Sequence, residues 1–177
     1  MLELSTFLIT MIILFGIIGY TRGWTKELIA TAGILLALFT LRQFETLLVD
    51  PLTDGRQLSK FYLQAATLIL MAFFAYQVPP EVLSRGEARG YFREGVQDGI
   101  LGALVGAFNG YLLFGSLWWF LDNLEYPIAG YVAPAAPGST SASWVEILPQ
   151  SWLLGGDGSV LSILMIALFV FVFVVVI

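Results

Sequence analysis

Residues 99–121 read GILGALVGAFNGYLLFGSLWWFL, an apolar stretch with no charged residue that closes on Trp118 and Trp119. At 1.5 Å per residue it makes a helix of about 34 Å, enough to cross the roughly 30 Å hydrocarbon core of a bilayer. The paired tryptophans suit the headgroup level at its far end. Working outward, residues 4–20, 28–41, 61–78 and 160–177 are apolar runs of the same kind. Run 28–41 is short unless residues 24–27 form its first turn, with Trp24 as an interfacial anchor and Lys26 snorkelling to the headgroups. The reading is an all-α polytopic membrane protein: a bundle of about four transmembrane helices plus a fifth, C-terminal one.

Composition points the same way. Of 177 residues, 58% are hydrophobic and 12% charged, a surplus that one soluble core could not hide. The net charge is −5 and the eight basic residues form no stripe, so nucleic acid is not an expected partner. The sequence has no cysteine and no histidine. That excludes thiolate nucleophiles, zinc sites of the usual kind and imidazole bases, and it removes the commonest axial ligand for haem or a chlorin. No cofactor, metal site or catalytic residue is expected. The first run follows Met1-Leu2-Glu3, without a basic residue or a small-x-small cleavage site after it, and so reads as a retained helix rather than a signal peptide.

The connections divide the chain into three parts, residues 1–125, 126–159 and 160–177. Gly23 breaks the first two runs into a hairpin. Residues 42–60 read as an interfacial loop or short surface helix, and Pro79-Pro80 stops the third span. Residues 126–159 are acidic and rich in Pro and Gly, which predicts an extended, irregular segment. Asp122, Glu125, Glu146 and Asp157 lack the close spacing of a calcium loop. Arg22, Lys26, Arg85, Arg89 and Arg93 fall on one side of the membrane and Arg42, Arg56 and Lys60 on the other. The positive-inside rule then places the N-terminus outside and the C-terminus inside.

Three patterns stand out. Gly95, Gly99, Gly102, Gly106 and Gly110 line one face of the fourth span, a floor on which another backbone can sit closely. Arg22, Lys26 and Glu27, together with Asp98, gather charge at one membrane face, where fixing helix ends is the economical role. Arg85, Arg89 and Arg93 form a basic stripe suited to anionic lipid. No charged residue falls in the middle third of any run, which argues against a proton relay or charged-substrate path. The polar groups available to line any path are Gln64, Thr67, Gln77 and Asn109.

The segment Arg22-Gly23-x-x-Lys26-Glu27-Leu28 after a first apolar helix, and Asp98-Gly99-Ile100-Leu101-Gly102-Ala103-Leu104-Val105-Gly106-Ala107-Phe108-Asn109-Gly110 leading into the fourth, resemble the colicin V production (CvpA) family. The resemblance covers roughly residues 1–125, with a weaker echo at Ile147-Leu148-Pro149-Gln150. It implies a bacterial inner-membrane protein linked to colicin export and envelope phenotypes, and it supplies no catalytic residues. Two departures stand against the family pattern. Arginines usual after the aspartate and before the last glycine are here Gly99 and Asn109, and the fifth helix is an addition to four spans.

Function follows as an expectation: a non-enzymatic, CvpA-like integral membrane protein of the bacterial cytoplasmic membrane, structural or assembly-related, acting through glycine-mediated helix packing. Its partners would be membrane lipid and itself or other transmembrane subunits, met through the fourth and fifth helices. The rival is an accessory subunit of a larger bioenergetic or photosynthetic complex, and a small transporter or channel comes third.

Overall fold

The computed structural model describes residues 3–77, 93–128, 130–154 and 159–176, which are helical with no strand among them. Leu4–Arg22 forms α1 and Trp24–Gln43 forms α2, joined through the single residue Gly23. A π-helical turn, Glu45–Val49, leads into the one-turn α3, Asp50–Thr53. Then come α4, Gln57–Tyr76, and α5, Arg93–Asn123. Two short helices follow, α6 at Thr140–Val145 and α7 at Pro149–Leu153, before α8, Ser159–Val176. Among the described residues four helices, α1, α2, α4 and α5, are long and apolar enough to cross a membrane. The expected fifth span falls on α8, which is not one of these four and whose Ser159–Leu168 part is a shorter apolar helix.

Helix bounds depart from the apolar runs in one consistent way. α5 begins at Arg93, six residues before the run at 99, because polar residues on the water side continue the backbone ladder that the apolar ones require. At 31 residues it is about 46 Å long, longer than the bilayer core, so its first turns stand beyond it. Pro79-Pro80, Arg85 and Arg89 lie outside the described residues, as does Asp157.

α5 is the hub, packing against α1, α2, α4 and α7. It runs antiparallel to α1, so that Gly19 meets Gly102 and Gly106 while Leu8 packs near Trp118. The main core combines Ile34 and Leu38 of α2, Leu68 of α4, Leu112 of α5, Leu153 of α7 and Leu161 of α8. Outward-facing Ile13, Ile17, Leu70, Phe74 and Leu104 are exposed, as helices in lipid require.

The segment after α5 is irregular through residue 139, as expected, but its later part carries two short helices. Ser139 caps α6 by accepting from Ala142 N–H, and Pro149 occupies the first turn of α7, where its missing N–H costs nothing. Leu148 and Leu153 are buried, and Pro149 is seated against Gly115. The Ser5 and Ser141 hydroxyls lie 2.9 Å apart and tie α6 to the start of α1. Apolar anchors at 148 and 153 outweigh the turn-forming composition between them. α8 rests on α2 and α7 through Leu161, Leu164 and Met165, an i, i+3, i+4 stripe, while Ile163, Ile166 and Val170 face outward.

Beyond the end of α5, Tyr126 is buried with its hydroxyl 3.1 Å from Asp122 Oδ1 and 3.3 Å from Trp118 Nε1. Burial pushes its phenol above the ordinary tyrosine range. A raised folded-state value means that its contribution is complete below the ordinary pKa of about 10 and is lost only as pH rises through the folded one. Tyr126→Phe should therefore lower stability by about 1 kcal/mol, a difference that unfolding in mixed detergent should find constant between about pH 6 and 9.

Candidate functional site

Glu27 is wholly buried, although sequence reasoning left it at the membrane face to fix a helix end. It lies in the first turn of α2, where the helix dipole favours an acid, and the other helices bring it donors. Arg22 Nη1 of α1 donates to Oε1 at 2.6 Å. The Tyr76 hydroxyl of α4 and the Asn109 side-chain amide of α5 each donate to Oε2 at 2.9 Å. The Asn109 amide also lies 2.9 Å from the Glu27 carbonyl, and the Thr31 hydroxyl sits between that carbonyl, at 2.9 Å, and Asn109 Oδ1, at 2.7 Å. All four spanning helices thus meet at one carboxyl group.

Arg22 has a second task. Its Nη2 donates to the Tyr76 backbone carbonyl at 3.0 Å, and its guanidinium carbon lies 4.3 Å from the Tyr76 ring centre. Tyr76 is the last residue of α4, so the arginine caps carbonyls that the helix leaves free and places positive charge at the negative end of its dipole. Phe15 meets the same ring edge-on at 5.8 Å.

Asp98 is at the same end but in a separate contact. Its Oδ1 accepts from Trp24 N–H at 3.4 Å, and its carboxylate occupies the space that a β-carbon on Gly23 would take. Gly23 has φ 83° and ψ 157°, a backbone region open essentially to glycine alone, and a β-carbon there would collide with the Asp98 carboxylate. Gly23→Ala should cost about 1–3 kcal/mol from the backbone alone, with the collision added. Adding Asp98→Ala should recover the collision share and leave the backbone share, as read from the unfolding midpoints of the three proteins. Lys26 is half-buried and stands outside the network.

The glycine face divides. β-Carbons built at Gly102 and Gly106 would collide with the backbone oxygens of Gly19 and Phe15, and one at Gly110 would lie 2.9 Å from the Met11 oxygen. One at Gly99 would meet the Tyr20 ring at 2.9 Å. Among the described residues nothing lies within 4 Å of a β-carbon built at Gly95, and it does not join the contact with α1. Of the basic stripe, Arg93 is the first residue of α5, while Arg85 and Arg89 are not described.

Thr31, Tyr76 and the partner glycine Gly19 are the residues that sequence reasoning missed. Gly19 had a signal, since it falls in an apolar helix one turn before the Gly23 break. Tyr76 had none, because nothing local to residue 76 reports a carboxyl group 49 positions away. Asn109 was visible only as a candidate path-lining group and as a departure from an expected arginine. In the structure this position touches the Glu27 carboxyl, whose positive partner is Arg22.

The family model described as Colicin V production protein matches residues 4–148, from the first residue of α1 to the residue before α7. The chain belongs to the colicin V production family. No curated protein and no solved structure matches it. The family match extends past the residue 125 limit of the sequence resemblance and takes in α6, consistent with the Ser5 to Ser141 contact that fastens α6 to α1. Both elements of the Glu27 network that sequence reasoning singled out, the Arg22 to Glu27 turn and the Asp98 to Gly110 stretch, lie within the match. Four apolar helices and this family make the chain a multi-pass membrane protein.

Proposed function

We propose that this colicin V production family member is a non-enzymatic structural or assembly protein of the bacterial cytoplasmic membrane, acting through glycine-mediated helix packing. The observation that carries the reading is the approach of α1 to α5, in which Gly19, Gly102 and Gly106 bring backbone against backbone. In lipid such contact replaces the hydrophobic drive between helices, and the Glu27 network fixes its register. Three donors already occupy the Glu27 carboxyl, which favours a fastening role over proton exchange with a substrate. The N-terminus lies outside and the C-terminus inside, by the distribution of basic residues.

Two apolar surfaces are available to lipid or to transmembrane partners. On α5, Ile100, Leu104 and Phe108 face outward at i, i+4 and i+8, and on α8 Ile163, Ile166 and Val170 do so at i, i+3 and i+7. Mild solubilisation of native membranes followed by size and composition analysis tests the role. Recovery of the chain alone or only with itself fits a stand-alone assembly factor, whereas fixed co-purification with a respiratory or pigment complex replaces that reading with the accessory-subunit one. Solute flux specific to the protein in reconstituted liposomes would overturn both.

A further inference from the structure

At the end of the bundle opposite Glu27, three buried polar atoms have no hydrogen-bond partner among the described residues: Gln64 Oε1, Gln150 Oε1 and Gln150 Nε2. Their residues are 5% and 4% exposed, and both line one cavity walled by Leu38 and Leu153, with Arg42 and Glu45 also on its lining. An unpaired polar group at such a depth costs about 1–3 kcal/mol, so two glutamines sharing one cavity mark a place built for an occupant.

Its size and charge define the occupant. The space open to a water centre is about 50 Å³. At roughly 10–15 Å³ for each water it holds about three or four small heavy atoms. Glu45 lies 2.8 Å from Lys60 and 3.5 Å from Arg42, and Lys60 also reaches Asp50 at 3.0 Å. Two cations and two acids cancel, so the deep part of the cavity calls for an uncharged group.

We infer that this cavity binds a vicinal diol, the terminal group of a glycerol headgroup or of a free polyol. Two hydroxyls donate to the two orphan carbonyl oxygens, and a hydroxyl lone pair accepts from Gln150 Nε2. Their two carbons meet the leucine walls, and the four heavy atoms fit the space. An ammonium offers no acceptor to Nε2, and a carboxylate offers no donor to the carbonyls. The exposed side chain of Arg42 is on the same lining and offers a cation to a phosphate attached to the diol.

The test uses the full chain, delipidated in detergent and offered equal amounts of phosphatidylglycerol, phosphatidylethanolamine and phosphatidic acid with matched acyl chains. Native mass spectrometry should show phosphatidylglycerol retained on the order of tenfold over the other two, as expected for one or two hydrogen bonds to buried amides. Gln64→Leu and Gln150→Leu should each erase most of that preference. In a parallel arm, glycerol should raise the melting temperature of wild type more than that of Gln150→Leu. Lipid preference without that glycerol response identifies the headgroup as the source, and the glycerol response without lipid preference identifies a free polyol. Equal retention of the three lipids together with equal glycerol responses means that water alone fills the cavity, and it overturns the inference. Equal preference for both anionic lipids over phosphatidylethanolamine, without a glycerol response, does so too, because charge rather than the diol would then be read.

Discussion

Replacing Arg22 by methionine should destabilise the bundle by about 3–5 kcal/mol, because it leaves the Glu27 charge buried without its ionic partner. The Arg22 side chain is only 20% exposed and that of Glu27 is fully buried, so water can do little to compensate. The same change frees the Tyr76 carbonyl at the end of α4, and both losses fall on one residue. The double variant Arg22→Met/Glu27→Gln should recover the charge share of that loss and keep only the share from the freed Tyr76 carbonyl, about 1–3 kcal/mol. Its amide still accepts from Tyr76 and Asn109, and no unpaired charge remains. Unfolding midpoints in sodium dodecyl sulfate, measured for both variants, decide the matter. A double variant no more stable than Arg22→Met would show that the carboxylate itself, rather than its neutralisation, holds the four helices.

The second large effect belongs to the glycine face. Gly106→Leu should leave no monodisperse folded protein on detergent chromatography. Overpacking in a core ordinarily costs about 1–3 kcal/mol, since side chains can change rotamer to make room. At Gly106 the obstacles are the Phe15 carbonyl and the Gly19 backbone, which have no rotamer to change, so α1 must lift from α5. That separation would also pull Arg22 from Glu27. Gly95→Leu supplies the contrast. None of the described residues stands near its β-carbon, and its stability should stay within about 0.5 kcal/mol of wild type. Equal behaviour of the two variants would remove the glycine contact as the basis of assembly.

These two predictions sit differently with respect to the sequence. Spacing alone placed Gly99, Gly102, Gly106 and Gly110 on one face, since a helix repeats every 3.6 residues whatever surrounds it. Spacing could not separate Gly95 from the others, because that depends on where α1 ends. Glu27 was legible as a charge near a helix start, and its neighbour Arg22 is five residues away. Its other partners were not legible. Tyr76 and Asn109 lie 49 and 82 residues along the chain, and only the meeting of α4 and α5 at that depth brings them to one carboxyl group. The two short helices in the segment after α5 were not legible for a related reason. The segment's proline and glycine content describes local turns, but Leu148 and Leu153 answer to a surface on α5 and α8 that composition does not encode.

The sequence by itself determined that this chain is a helical membrane protein of four spans with a further apolar C-terminal helix, and it identified the family. Hydropathy and helical period are sums over neighbouring residues, and the bilayer imposes its thickness on every such sum alike. The tertiary structure alone decided which polar groups share a site. Bringing Tyr76 and Asn109 to Glu27, and placing Gln64 and Gln150 on one cavity, are matters of which helix stands next to which. That choice is made by close contact between backbones far apart in the chain.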